Sequence, residues 1–148
     1  MKKIFALMMA ILLLLCGCGP NENEYRATYL HTGFANEAVY PAISVLHSTT
    51  ERDACATKAS HKKVTEALSK YDEDFFSSKV LFVLNISMAS SAYHYVVERV
   101  YETEEGLTFQ LKQTVQGGVP HVMGGMTILV EMDKSWDCKA ENITIDMQ

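Results

Sequence analysis

The chain has 148 residues, with 13 basic side chains against 18 acidic ones and a formal net charge of −5. Its cations are scattered, with no basic run longer than a pair, so nucleic acid and anionic membrane surfaces are excluded as preferred partners; phosphate binding needs clustered Lys and Arg. The length suits one domain able to bury its own core.

The first stretch reads as an export signal. Lys2-Lys3 form a basic start, Ile4 to Leu15 an apolar run, and Leu15-Cys16-Gly17-Cys18 a lipobox, with Gly17 small enough for the narrow peptidase subsite before the cut. The apolar run is well short of the roughly 20 residues that a spanning helix needs. The competing frame, Leu13-Leu14-Leu15-Cys16, puts a bulky Leu before the cut, so lipidation is assigned to Cys18. A plain secretory peptide cleaved nearby, or an uncleaved hydrophobic anchor, would equally hold the domain outside the membrane. The expected organisation is a signal over residues 1–17, a tether over 18–24 and one domain over 25–148. Losing residues 1–17 removes two lysines, which leaves 131 residues and a formal charge of −7.

Past the tether, alternation over Tyr25 to Thr32 predicts a half-buried strand, and Tyr40 to His47 predicts a second, with Pro41 favouring an edge position. Ser48-Thr49-Thr50-Glu51 has the capping-box pattern, so a helix starts there. Val64, Ala67, Leu68 and Tyr71 recur at helical spacing and predict a helix over about 61–71, followed by a helical turn through Asp72-Glu73-Asp74 that buries Phe75 and Phe76. Val80 to Ile86 is apolar on both faces, as a central strand would be. Tyr93 to Tyr101 returns as a strand with Tyr95 and Val97 inward and a bulge near Glu98-Arg99 that brings Val100 onto the same face. Glu104-Glu105-Gly106 is a hairpin connection, and Leu107, Phe109, Leu111 and Val115 give the clearest period-2 signal. Gln116 to Gly125 reads as a glycine-rich loop. Met126, Ile128, Val130 and Met132 form another strand with Leu129 on its far face, and Ile143, Ile145 and Met147 a last short one. The expected fold class is α+β, an antiparallel sheet of five to seven strands packed against one helical region.

The chemistry-bearing residues form no recognised constellation. The histidines at 31, 47, 61, 94 and 121 show no HxH or HExxH pairing, so neither a metal site nor a cofactor is expected. Ser90-Ser91 stand near His94 without a GxSxG elbow and read as turn residues. Asp72-Glu73-Asp74 reads as a solvated helix end, and the glycines from Gly117 to Gly125 lack the Gly-Lys-Ser/Thr of a phosphate loop. With Cys16 removed and Cys18 lipidated, Cys55 and Cys138 form an exported pair without metal-ligand spacing, which suggests a disulfide. Such a bridge would close about 80 residues and contribute on the order of 3–4 kcal/mol; the alternative is two unrelated thiols, one buried and one near the surface. Val119, Val122 and Met123 are apolar on a segment expected to be exposed. They either meet a partner or fold over the sheet edge.

The succession Tyr71-Asp72-Glu73-Asp74-Phe75-Phe76, Val80 to Leu84, Ser90-Ser91-Ala92-Tyr93 and Val97-Glu98-Arg99-Val100 resembles lipoproteins of the Firmicutes and, more distantly, the PrcB-type domain. The likeness covers about residues 43–133. It implies a lipoprotein that associates with a surface protease and stabilises it, with no catalytic residue to carry over. One departure is that the family's glycine-rich turn reads Ser90-Ser91-Ala92-Tyr93 here.

The first expectation is therefore a lipid-anchored domain without catalytic activity, on the extracytoplasmic face of the cell membrane, binding a protein or peptide through Ser90, Ser91 and Tyr93 and through Val119, His121 and Met123. A small extracytoplasmic enzyme using His94 and His121 is the alternative. A structural envelope lipoprotein is a third.

Overall fold

The computed structural model describes residues 24–32, 40–59, 61–115, 117 and 123–148. The signal segment with its Cys18, together with Val119 and His121, lies outside the described residues. Among these described residues there are seven strands: β1 (Arg26–Thr32), β2 (Ala42–Leu46), β3 (Lys79–Met88), β4 (Tyr93–Thr103), β5 (Gly106–Val115), β6 (Gly124–Asp133) and β7 (Ile143–Met147). Three helices, α1 (Thr49–Lys58), α2 (Lys62–Leu68) and α3 (Glu73–Ser78), lie between β2 and β3. The fold is α+β.

The strands form two sheets rather than the single one expected. One is antiparallel with order β1-β6-β3-β2, and the other has order β4-β5-β7. The second is not wholly antiparallel, because β7 runs parallel to β5. Alternation along β4 and β5 points their apolar residues at a facing layer, and that layer is the inner face of the four-stranded sheet. Val97, Val100, Leu107, Phe109 and Leu111 pack there against Val80, Phe82, Leu84 and Ile86 of β3 and Met126, Ile128, Val130 and Met132 of β6. Phe82 and Phe109 meet across the two sheets with ring centroids 5.2 Å apart. The central position expected for β3 is observed: it pairs with β2 on one side and β6 on the other. Its opposite face, with Leu81 and Val83, joins Leu129, Leu46, Val64, Leu68 and Phe76 in a second core beneath the helices.

Local signals account for the element ends. Ser48 Oγ accepts from the Glu51 amide at 3.2 Å, and the Glu51 carboxylate reaches back to the His47 amide at 2.6 Å, one residue before the usual capping-box target. Asp72 caps α3 by accepting from the Phe75 amide at 2.9 Å. α2 stops at Leu68, short of the expected Tyr71, where the Ser69 hydroxyl turns back to the Glu66 carbonyl at 2.8 Å. The predicted bulge lies between Val97 and Arg99. At the β4–β5 hairpin Gly106 has φ 134°, and a Cβ there would collide with the Asn142 carbonyl, so the position requires glycine twice over.

Side chains stitch the edge of the four-stranded sheet to the edge of the other. At the bulge the Val97 amide donates to the Tyr29 hydroxyl at 3.0 Å, and the Tyr25 hydroxyl donates to the Val97 carbonyl at 2.8 Å. These bonds satisfy backbone groups that β4 would otherwise present along its open edge.

The expected Cys55–Cys138 bridge is not formed; both cysteines are free thiols. The sheet itself separates them. Cys55 packs on the helix side and Cys138 against the core between the sheets. Val115, expected on the inward face of β5, is exposed, because the inter-sheet core ends at Leu111.

Candidate functional site

Strand register brings the predicted turn at Ser90 to Tyr93 and, of the second predicted segment, Met123 to one end of the sandwich. Met88 at the end of β3 pairs with Gly124, directly after Met123, and Tyr93 at the start of β4 pairs with Val115 at the end of β5. The turn 90–92 joins β3 to β4 at this same end. Two of the large apolar side chains most open to solvent among the described residues stand here, Val115 at 73 % and Met123 at 68 % exposure. Met147, 49 % exposed, ends the neighbouring strand β7 opposite Leu111.

The turn is built by its own side chains. Ser90 is buried, its hydroxyl accepts from the Ala92 amide at 3.2 Å, and its carbonyl accepts from the Tyr93 amide at 3.0 Å. Ala92 is buried as well, so its methyl group occupies space that a glycine would leave open to an approaching backbone. Ser90 thus shapes the turn, whereas Ser91 and Tyr93 are half-buried.

A histidine pair that no sequence pattern signals also marks this end. His31 Nε2 and His94 Nδ1 are 2.9 Å apart, one from β1 and one from β4, with the Tyr29 ring 5.4 Å from that of His94. One ring must donate and the other accept, so the bond does not survive double protonation. Burial, and then the neighbouring His31, hold His94 below the usual histidine range. Among the described residues the His94 ring hydrogen-bonds to His31 and to no carboxylate. The pairing is non-local, across 63 positions, which is why spacing could not reveal it.

No family model, curated protein or solved structure matches this chain.

The opposite end holds a second histidine cluster. His47 Nδ1 lies 3.0 Å from Glu51 and its Nε2 lies 2.7 Å from Asp137, which ties the entry of α1 to the segment after β6. Partial burial lowers its pKa, but hydrogen bonds and charge from Asp137 and Glu51 outweigh that and leave it raised. The Glu51 partner was open to inference from its i, i+4 spacing; Asp137 was not. Among the described residues no group of three or more His, Cys, Asp or Glu side chains is arranged to hold a metal ion. Nor is any described helix long and apolar enough to cross a membrane.

Proposed function

We propose that the chain is a lipid-anchored extracytoplasmic domain that binds a protein or peptide partner at the end of the sandwich formed by Ser90 to Tyr93, Val115 and Met123. The carrying observation is the convergence of exposed Val115 and Met123 beside that turn, since clustered exposed apolar side chains mark interaction surfaces more often than isolated ones do. The lipobox ending in Cys18 supports the anchor. The resemblance of Tyr71 to Phe76 and of the strands after it to the PrcB-type domain supports an envelope protein, such as a protease, as the partner class. The packed turn at Ser90 to Ala92 favours recognition by side chains over close backbone approach.

Two experiments test this reading. Replacing Cys18 with Ala should abolish incorporation of labelled palmitate into the protein; label retained by the variant would refute the lipid assignment. A photocrosslinking amino acid at Val115 or Met123 should capture the same membrane-derived protein, and Tyr93→Ala should reduce that capture. The same crosslinker at Glu104, at the far hairpin end, should not. Equal capture from both ends, or none from either, would remove the proposed surface.

A further inference from the structure

The outer face of the four-stranded sheet changes character along its strands. The cross-strand row Thr28–Leu129–Val83–Ser44 has its centre buried in the core beneath the helices, whereas the next row, Leu30–Thr127–Asn85–Ala42, has a polar centre. Over that polar row stands α1, which turns Ala54, Cys55 and Ala59 toward it and buries no residue at all. Side chains this short leave the space beneath them unfilled. The result is a cleft of about 420 Å³ between α1 and the sheet, within the size range of small-molecule sites.

We propose that this cleft binds a small organic carboxylate with an apolar body. Its floor is polar where folding alone would favour Val or Ile: the Thr127 hydroxyl donates to Asn85 Oδ1 at 2.7 Å, and this bond leaves both amide N–H donors of Asn85 for a ligand. His61 lines the same cleft, and its Nδ1 is buried without a hydrogen-bond partner, a group that a ligand can satisfy. Charge at the mouth selects the sign. Glu51 is already engaged by His47, whereas Lys58 takes part in none of the ion pairs among the described residues. An anion therefore meets an uncompensated ammonium. Val64 and Val83 supply the apolar wall for the rest of the molecule. None of these residues belongs to the sandwich-end surface, so the two sites stand or fall separately.

Cys55 provides the reporter, because it lines the cleft while Cys138 does not. The full chain as its cells process it, purified from them in mild detergent, would be alkylated with N-ethylmaleimide and the two thiols resolved by peptide mass spectrometry. The probes are 4-phenylbutyrate and its matched neutral and cationic analogues, 4-phenylbutanol and 4-phenylbutylamine. Millimolar 4-phenylbutyrate should slow Cys55 alkylation about tenfold and leave Cys138 unchanged, with the alcohol weaker and the amine inactive. Lys58→Met should raise the half-protecting concentration about fivefold, the effect of about 1 kcal/mol from one exposed ion pair. Ala54→Phe, at an exposed helix position that opens on the cleft, fills it without touching the core and should abolish protection. Equal protection by all three probes would overturn the carboxylate preference. No protection by any of them, or protection that survives Ala54→Phe, would overturn the site.

Discussion

The two faces of the four-stranded sheet are made from the same strands and differ in what they are for. The inner face runs Ala27–Val130–Phe82–Val45 and Tyr29–Ile128–Leu84–Ile43 across the sheet, apolar side chains set against the core of the second sheet. On the outer face apolar residues hold only one part, around Leu81, Val83 and Leu129 beneath the helices, and Thr127 and Asn85 hold the next. A face that serves only folding gains from every buried apolar group, about 1.5–3 kcal/mol for each large side chain. Polar groups kept on the other face cost stability relative to that limit, which marks where something other than folding is served.

Truncation of the inner face should give the largest effect. Phe82→Ala removes a fully buried ring that packs at a tilt against Phe109 between the sheets, and should destabilise by about 3–5 kcal/mol. Urea unfolding followed by the fluorescence of Trp136, the sole tryptophan, which packs against this core, measures it. A loss under about 1 kcal/mol would mean that the two sheets are not held together by this layer.

On the helix side the next effect comes from the cap of α3. Asp72→Ala removes the acceptor for the Phe75 amide and should cost about 1 kcal/mol in the same assay. The loss should come with loosening of the Phe75 and Phe76 rings, whose centroids lie 5.0 Å apart. An unchanged midpoint would show that tertiary packing alone holds this short helix.

Thr127→Val sharpens the contrast further. It removes the hydroxyl that donates to Asn85, yet Asn85 is half-buried beside the cleft and can turn to water instead. The expected loss is therefore under about 1 kcal/mol, near the net worth of one hydrogen bond. A loss as large as that of Phe82→Ala would show the polar row to be part of the folding core.

How far the sequence disclosed this architecture depends on the range of the signal. Alternation in Leu107, Phe109 and Leu111 and in Met126 to Met132 correctly told which side chains turn inward, and the double-sided apolar run of Val80 to Ile86 correctly told that β3 is central. Period 2 looks the same whether the facing layer is a helix or another sheet, so the division into two sheets and the parallel placement of β7 were not legible. The cap at Ser48 was, because its partner lies three residues away; Asp72 reads in the sequence as part of a helical turn continuing the preceding helix, not as the cap of a separate one. The His31–His94 pair, Asp137 beside His47 and the cleft under α1 join residues far apart in the chain. Pattern reading has no access to such contacts. The separation of Cys55 from Cys138 by a whole sheet is of the same kind.

The smallest effects distinguish the two histidine clusters by sign. His47 has a raised folded pKa, so its contribution is fully present below the unfolded value near 6.5 and is lost as pH rises through the folded value. His94 has a lowered one, so its contribution is present above 6.5 and is lost as pH falls through the folded value. Both rings are partly open to solvent, and screening limits each effect to a few tenths of a kcal/mol. Asp137→Asn should therefore flatten the alkaline side of a stability-against-pH curve, while His31→Gln, which removes the neighbouring imidazole charge, should flatten the acid side. If Asp137→Asn flattened the acid side instead, the carboxylates would not be the groups that raise His47. Unequal flattening is expected even so, because His47 answers to two carboxylates and His94 to its own burial and one neighbouring imidazole. The end that carries the proposed binding surface is thus the end that acid loosens, and the end that carries the helix entry is the one that alkali loosens.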